Sequence, residues 1–507
     1  MRGKIITEWI KKLPSARSDG IELTPDPCYH PFFKTLRGKP HQVTDHHVTP
    51  KKPNSRTDST GLPHYEAVIP RSQHPISRKE IDRDAMRVMK RLNQHGHEAY
   101  LVGGAVRDLY LGKAPKDYDI ATDATPSRLR KLFRNCRIIG RRFKIGHIYF
   151  EAGKVIEVAT FRQSAANASG SANGIVRSES GIILRDNAYG TPQEDARRRD
   201  LTINGLFYDL KTFSVLDYVD GVKDIKAKIV RMISEPDLSF AEDPVRMLRA
   251  LRHSARTGFR IEDETMDSII RNHADILQAN SSRLLEELLK DLRSGAAAPF
   301  FKAIFGAHLL GDLLPVLSDQ ISQSGGAHPF WRRIETLDSR VIAGSEFSSS
   351  ISLAMLLYTT LFNEEDMWNA TRKLSPPALK QLRSNFQKST AALQVSRRDT
   401  ERILQIARNL STFNHLLRKD RDPGKKLNKN YSRDVLDCLE IEVESTGEDL
   451  EITKKWSAIV TENERKMRSK KQEEGEARGA DGGAPKRKRR RRRRRRGRGG
   501  KPGRNND

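Results

Sequence analysis

Asp117 and Asp119 stand one residue apart in the run Lys116-Asp-Tyr-Asp-Ile-Ala-Thr, a spacing that can do chemistry. In a strand, side chains at i and i+2 share a face, so both carboxylates point one way while Tyr118 and Ile120 pack opposite. Carboxylates placed side by side repel unless something positive lies between them. A hard cation such as Mg²⁺ supplies that charge and takes oxygen ligands. The competing reading is a solvated turn with two incidental aspartates. Metal is favoured by Gly103-Gly104, a short way upstream in Tyr100-Leu-Val-Gly-Gly-Ala-Val-Arg-Asp-Leu. There a strand is expected to run into the glycines and a helix to open near Ala105. Such glycines admit close backbone approach to a ligand, and a helix N-terminus attracts anions; alone, they are also an ordinary tight turn. Glu157 adds a third carboxylate, the lone charge in the β-rich run Val155-Ile-Glu-Val-Ala-Thr-Phe. It must face solvent or a ligand, since burying it unpaired is prohibitive. Three carboxylates on adjacent strands make the two-metal arrangement used for phosphoryl and nucleotidyl transfer.

Two downstream runs carry charge of the opposite sign. In Arg198-Arg-Asp-Leu-Thr-Ile-Asn-Gly-Leu, Asp200 and Asn204 are four apart and share a face if the run is helical, with Ile203, Leu206 and Phe207 inward. Arginine suits phosphate because its planar fork donates two bonds at once; a surface arginine cluster on a plain helix is the alternative. Glu242-Asp-Pro-Val-Arg reads as a helix start, with Asp243 as N-cap and Pro244 at the first helical position. Arg246 and Arg249 then share a face, and Arg252 follows one turn on.

Order is expected from Ser77, where Ser77 and Glu80 form a capping box ahead of Ile81, Ala85, Val88, Met89 and Leu92 at helical spacing. Gly96 is expected to end that helix. Strands are predicted at Ala99–Val102, Tyr118–Ala121, Arg137–Ile139, Gly146–Phe150 and Val155–Phe161, alternating with helical runs. Residues 163–187, rich in Ser, Ala, Gly and Asn, read as a mobile loop. Beyond Arg197 the apolar period turns helical, with stripes at Leu284 to Leu292, Leu353 to Leu361 and Ile403 to Leu417 that read as core. A last helical stretch is predicted near 432–461.

Residues 1–75 hold ten of the 23 prolines and no sustained hydrophobic period, so they read as disordered. His41, His46 and His47 lie there without a second cluster to complete a metal site. Charge is the loudest compositional feature, at +27, and fourteen Lys and Arg with no acid between Lys486 and Arg504 supply about half of it. A polyanion, nucleic acid first, is the natural partner, and a solubilising tail the plain alternative. Arg141, Arg142 and Lys144 around Phe143 can hold a nucleic-acid strand by charge and stacking, or form an ordinary basic turn. Three scattered cysteines, Cys28, Cys136 and Cys438, argue against a disulfide framework and fit a reducing compartment. No run of 18 apolar residues spans a membrane, no secretion signal opens the chain, and no Gly-x-x-x-x-Gly-Lys-Ser/Thr marks a P-loop.

Gly-Gly-x-Val-Arg-Asp with Asp-x-Asp, the Arg198 run and Glu242-Asp-Pro-Val-Arg together resemble the class II nucleotidyltransferases of the polymerase β superfamily. That family includes bacterial poly(A) polymerases and tRNA CCA-adding enzymes. Similarity runs from about Ile69 to at least Phe259 and more weakly beyond. The resemblance implies an α+β fold: a nucleotidyltransferase head with a small mixed sheet at 76–205, then all-α parts. These are a nucleotide-recognition neck at 206–275 and an RNA-binding body at 276–462, with disordered segments at 1–75 and 463–507. It implies that Asp117, Asp119 and Glu157 hold two Mg²⁺ ions, for which Mn²⁺ can stand in. These would lower the pKa of the RNA 3′-hydroxyl, align it on the α-phosphate and neutralise the pyrophosphate leaving group. Gly103, Gly104, Arg107, Asp108, Arg198, Arg199, Asp200 and Asn204 would hold the nucleotide. Asp243 and Arg246 would read the base's Watson–Crick edge, with Arg249 beside them; Arg252 would meet triphosphate or RNA.

Within the family, Ile139-Gly-Arg-Arg-Phe-Lys-Ile-Gly-His-Ile, Ile69-Pro-Arg-Ser-Gln-His-Pro-Ile-Ser-Arg and the Arg-rich tail are similar to the poly(A) polymerase subgroup, although Gly146 replaces a commoner Ala. The implied activity is template-independent addition of AMP from ATP to RNA 3′ ends, with release of pyrophosphate, promoting RNA turnover. CCA addition to tRNA is the first alternative; the helical half lacks a His-Asp phosphohydrolase motif, as many CCA-adding enzymes do too. An inactive RNA-binding relative is the second, opposed by the presence of all three carboxylates. The implied setting is a cytoplasmic monomer working with RNA-degradation machinery.

Overall fold

The computed structural model describes residues 67–140, 144–163, 175–177, 183–186, 189–361, 376–419, 421, 423–447 and 450–480. The elements of the first half are β1 (Ala67–Ile69), α1 (Arg83–Gln94), β2 (Ala99–Val102), α2 (Gly104–Tyr110), β3 (Asp119–Thr122), α3 (Pro126–Leu132) and β4 (Cys136–Ile139). They continue with β5 (Ile145–Tyr149), β6 (Val155–Thr160), β7 (Ile175–Arg177), β8 (Ile183–Asp186), α4 (Pro192–Arg197), β9 (Leu206–Asp209) and β10 (Ser214–Asp217). Eight of these strands form one sheet in the order β1-β10-β9-β2-β3-β6-β5-β4. Only β3 and β6 pair in parallel within it, because the chain leaves β3 and returns through α3, β4 and β5.

Alternation along the strands divides the apolar side chains between two faces. Leu101, Ile120, Ile156, Val158 and Tyr208 enter the main core, whereas Val102, Ala121 and Phe207 join Phe161, Ala196 and Tyr218 in a smaller cluster. Ala196 brings α4 to that second face. Asp119 lies two residues before Ala121, so it belongs to the α4 side of the sheet.

The predicted strands lie within a residue or so of the observed ones, and several helical expectations shift. Helix α1 starts at Arg83, not Ser77: Asp82 caps it by accepting from the Asp84 and Ala85 amides at 2.8 and 3.1 Å. Ser77 and Glu80 instead close a separate turn, in which the Ser77 amide donates to Glu80 at 3.3 Å. Gly96 does follow the helix, at φ +80°. Inside the expected loop at 163–187, β7 and β8 pair antiparallel, and residues 164–174, 178–182 and 187 lie outside the described part. The sheet also crosses the expected head boundary, since β9 and β10 lie beyond residue 205 and β1 before residue 76. His41, His46, His47 and the Arg-rich tail lie outside the described residues.

The remainder holds α5 (Gly221–Ala227), β11 (Ile229–Val230), α6 (Pro236–Glu242), α7 (Val245–Thr257), β12 (Arg260–Ile261), α8 (Asp263–Asn272) and α9 (Ser281–Leu292). It is not wholly helical, because β11 and β12 make a short parallel ladder. Further helices follow: α10 (Ala297–Gly306), α11 (Leu309–Leu313), α12 (Pro315–Ser324), α13 (Phe330–Ile342), α14 (Ser349–Leu361) and α15 (Pro376–Ser389). The last are α16 (Arg397–Arg418), α17 (Ser432–Thr446) and α18 (Glu451–Ala480). The helical stretch expected near 432–461 consists of α17 and the start of α18, with Gly447 at φ +75° as an αL cap between them. Helix α18 then runs to Ala480, so the segment expected to be disordered from 463 begins as helix.

Arg252 shows how the helical part is tied together. Its side chain is 4% exposed and bound by Glu287 and by Asp291, whose Oδ1 is 2.7 Å from Nε. This is a structural ion triad joining α7 to α9, and it corrects the expectation that Arg252 meets triphosphate or RNA. Desolvation would raise the Glu287 carboxyl, but Arg252 and the neighbouring Lys290 outweigh it and hold it down at about 2. Asp291 goes the other way, because its burial outweighs the same arginine. Removing the shared cation strands two buried carboxylates, so Arg252→Ala should cost about 3–5 kcal/mol in denaturant unfolding. Glu287 has a depressed pKa, so its share of stability is present above its unfolded value of 4.5 and is lost as pH falls toward about 2. Glu287→Gln should therefore lose less stability than the wild type across that window, as read by unfolding at stepped pH.

Candidate active site

One row of residues crosses all eight strands: Val68, Leu216, Phe207, Val102, Asp119, Glu157, His147 and Arg137. Backbone pairing alone thus sets Asp119 beside Glu157, and parallel partners in register point to the same face. Asp117 precedes β3 by two residues, and all three carboxylates are exposed. His147 is the neighbour that the sequence reading missed; its Nε2 lies 3.2 Å from Glu157 Oε1. Alternation along β5 was the signal that could have found it, since it stands opposite Glu157 as surely as Asp119 does.

The electrostatics fit a cation. Desolvation first, then the Glu157 carboxylate, pushes the Asp119 carboxyl up to about 6, while Arg199 pulls it down. The side chain touches solvent yet is crowded by protein on its other sides, which tempers the size of that shift but not its sign. No cation among the described residues forms an ion pair with Asp117 or Asp119. Oxygen-only donors with excess negative charge are what Mg²⁺ takes. The three carboxylates are nevertheless not drawn into a closed three-ligand group among the described residues, as mutual repulsion requires of unscreened like charges.

Opposite them stand the arginines. Thr191 and Glu194 form a capping box that starts α4, and the helix ends at Arg197. Arg198 and Arg199 leave it anchored by a residue not foreseen, Asp195, which is 1% exposed. Asp195 accepts from Arg198 Nε at 3.0 Å and Arg199 Nη2 at 2.9 Å. Burial opposes ionisation there, but Arg198 and Arg199 outweigh it and keep the carboxyl below the usual range. Arg199 lies over the Phe207 ring at 5.2 Å, on the carboxylate face. The expected single helix through Asp200 and Asn204 does not exist, since α4 stops first and Thr202–Asn204 forms a 3₁₀ turn. Both side chains still converge on α7: Arg249 donates to Asp200, and Asn204 meets His253 at 3.2 Å. Burial would raise the Asp200 carboxyl, but Arg249 holds it well below the ordinary range.

Gly103 adopts φ +71° before α2, a conformation that favours glycine. A Cβ there would lie 3.2 Å from Arg199 Nη1. Helix α2 has only seven residues, so its side chains rather than its dipole offer the anion contacts. Arg107 donates to Asn204 Oδ1 at 2.7 Å and to Asp108 Oδ1 at 2.9 Å from Nε, which joins the glycine turn to the arginine run.

The expected base-reading pair is already engaged. Asp243 does not cap α7; Pro244 holds that position, and Asp243 ends α6 at φ −154°. Proline's lack of an N–H makes this exchange cheap at a helix start. Asp243 accepts both fork nitrogens of Arg283, at 2.6 and 2.8 Å. Arg246 donates to Ser239 Oγ at 2.7 Å. Lys144 is exposed at the entrance to β5, whereas Arg141, Arg142 and residues 486–504 lie outside the described part. A cavity of about 1370 Å³ lies elsewhere, between α15, α16 and α17. The carboxylates line an open face instead.

Gly103→Ala should unfold about 1–3 kcal/mol more easily, the cost of a non-glycine residue at positive φ, and should displace Arg199. Unchanged stability by chemical denaturation would contradict the close approach described here.

Parts of the chain match known proteins. Residues 99–231 match the family described as the Poly A polymerase head domain, and residues 258–321 match the probable RNA- and SrmB-binding site of polymerase A. Poly(A) polymerase I of Escherichia coli is 47% identical over 268 residues, 53% of this chain and 57% of that protein. The CCA-adding enzyme of Bacillus pumilus is 31% identical over 248 residues, 49% of this chain and 59% of that one. The Bacillus stearothermophilus CCA-adding enzyme in complex with CTP superposes with a TM-score of 0.49 at 22% identity, covering 75% of this chain and 81% of that chain. The chain thus spans little more than half the length of the curated relatives it matches. Over residues 99–231 the chain is therefore similar to the poly(A) polymerase head domain.

Proposed function

We propose that the chain transfers AMP from ATP to RNA 3′ ends, releasing pyrophosphate. The observation that carries this reading is the β3–β6 register, which places Asp119 against Glu157 on the face that Arg199 overlooks. Asp117, Asp119 and Glu157 would hold divalent metal, Mg²⁺ or Mn²⁺, which supplies Lewis-acid chemistry at phosphate when bound. Arg198 and Arg199, fixed by Asp195, would hold the triphosphate. Arg107, Asp108, Asp200 and Asn204 would position the nucleotide from below, with Gly103 and Gly104 allowing the close approach. Asp243, Arg246 and Arg249 would face the base. Their partners Arg283, Ser239 and Asp200 hold them in fixed orientations, and preorganised donors and acceptors discriminate bases better than mobile ones.

The segment before Ala67 is outside the catalytic unit in this reading, β1 belongs to its sheet, and residues 276–462 form the RNA-holding body. Arg141, Arg142, Lys144 and the tail Lys486 to Arg504 would grip RNA without regard to sequence. No helix among the described residues is long and apolar enough to cross a membrane, and we place the chain in the cytoplasm as a monomer serving RNA-degradation machinery. CCA addition is the second reading, favoured by the 31% identity to a CCA-adding enzyme.

The test gives purified chain a generic RNA and a tRNA ending before CCA, with each NTP separately and Mg²⁺. Long A-tails on the generic RNA are expected; two C and one A added only to tRNA would replace this reading with the second. Asp119→Ala should lower transfer by at least about a thousandfold, the scale of an electrostatic centre, while RNA binding persists. Retained transfer in that variant would remove Asp119 from the site.

A further inference from the structure

Arg107, Asn204 and His253 close a ring of three contacts where α2, the 3₁₀ turn and α7 meet. Arg107 Nη1 lies 2.7 Å from Asn204 Oδ1 and 3.1 Å from His253 Nδ1, and Asn204 Nδ2 lies 3.2 Å from His253 Nε2. The ring cannot be satisfied by its own members. A guanidinium only donates. If Arg107 donates to the Asn204 oxygen, the amide nitrogen faces His253 Nε2 and requires it to accept. A neutral imidazole carries one N–H, which must then sit on Nδ1, pointing at the Arg107 donor. Moving the proton to Nε2 transfers the conflict to Asn204, and flipping the amide transfers it to the Arg107 pair. A protonated ring donates from both nitrogens and is worse. Burial first, and then the charge of Arg107, disfavours that protonated form.

An oxygen that accepts from both sides resolves the ring when it enters between two donors. The place is suited to one. Arg107 is 8% exposed while His253 is half-buried and reachable. Arg107 follows the Gly103–Gly104 turn, and His253 stands one helical turn from Arg249, whose charge is felt at Asp119. We propose that His253 is a nucleotide-contacting residue whose ring N–H donates to an oxygen of the bound nucleoside triphosphate, entering the ring formed with Arg107 and Asn204. Substrate thereby fastens α7 to the head. This rests on the ATP-dependent transfer proposed above. The accepting oxygen belongs either to the ribose hydroxyls or to the phosphates.

The full chain is titrated calorimetrically with ATP, 2′,3′-dideoxy-ATP and tripolyphosphate, each with Mg²⁺, alongside His253→Phe and His253→Gln. His253→Phe should bind ATP about three- to tenfold more weakly, the worth of one hydrogen bond. His253→Gln, which keeps a donor, should recover part of that affinity. A ribose contact predicts that His253→Phe and wild type bind the dideoxy nucleotide equally; a phosphate contact predicts the same loss with tripolyphosphate. Unchanged ATP affinity in His253→Phe would overturn the inference, as would a loss accompanied by a lowered melting temperature and no recovery in His253→Gln. A wild-type chain that binds ATP but extends no RNA would overturn the polymerase reading and leave this inference standing. A wild-type chain that tails RNA while His253→Phe binds ATP normally would overturn this inference alone.

Discussion

Asp119 and Glu157 repel each other, and the backbone gives them no room to part. Their strands are paired in parallel and in register, and each strand is locked by antiparallel partners on its other side. The cost shows in the Asp119 carboxyl, which is pushed up to about 6 by desolvation and by Glu157. A fold that keeps such a pair exposed on one face needs a counter-charge there, and the rest of the head is arranged around that need. Helix α4 is laid across the same face by Ala196 and delivers Arg199 over Phe207, on the row that contains both carboxylates.

The positive side of the site is held as firmly as the negative one. Asp195, fully buried, spends its oxygens on Arg198 and Arg199, so these two arginines are oriented before any ligand arrives. Arg249 and Asp200 form a second pair that reaches from α7 to the arginine run. Arg252 is a third cation on the same helix, yet Glu287 and Asp291 consume it for packing. Residue type alone does not separate these roles; burial and partner do.

Much of the site was legible because its geometry is local. Asp117, Asp119 and Glu157 stood out as charges in β-rich runs, and alternation along a strand is a two-residue rule. The strands themselves were readable for the same reason. What failed were claims that depended on which of two good local signals wins. Ser77 and Asp82 both look like helix caps, and the one adjacent to the apolar run is used. Asp243 looked like a cap too, but a partner 40 residues away, Arg283, claimed its carboxylate. Asp200 and Asn204 were read as one helical face, yet they converge through α7 after the helix has ended. Arg283 and His253 owe their places to pairings set by the tertiary fold, for which short-range spacing carries little signal, whereas Asp195 stands only three and four residues before the arginines it holds.

Strand register sets Asp119 beside Glu157, and in the proposed function this pair holds divalent metal. The most direct measurement is Mn²⁺ binding to the full chain with ATP present, followed by electron paramagnetic resonance in wild type, Asp119→Asn and Glu157→Gln. Each substitution should weaken binding by at least about tenfold, the scale seen when groups supporting a metal site are removed. Equal binding in all three proteins would contradict the account.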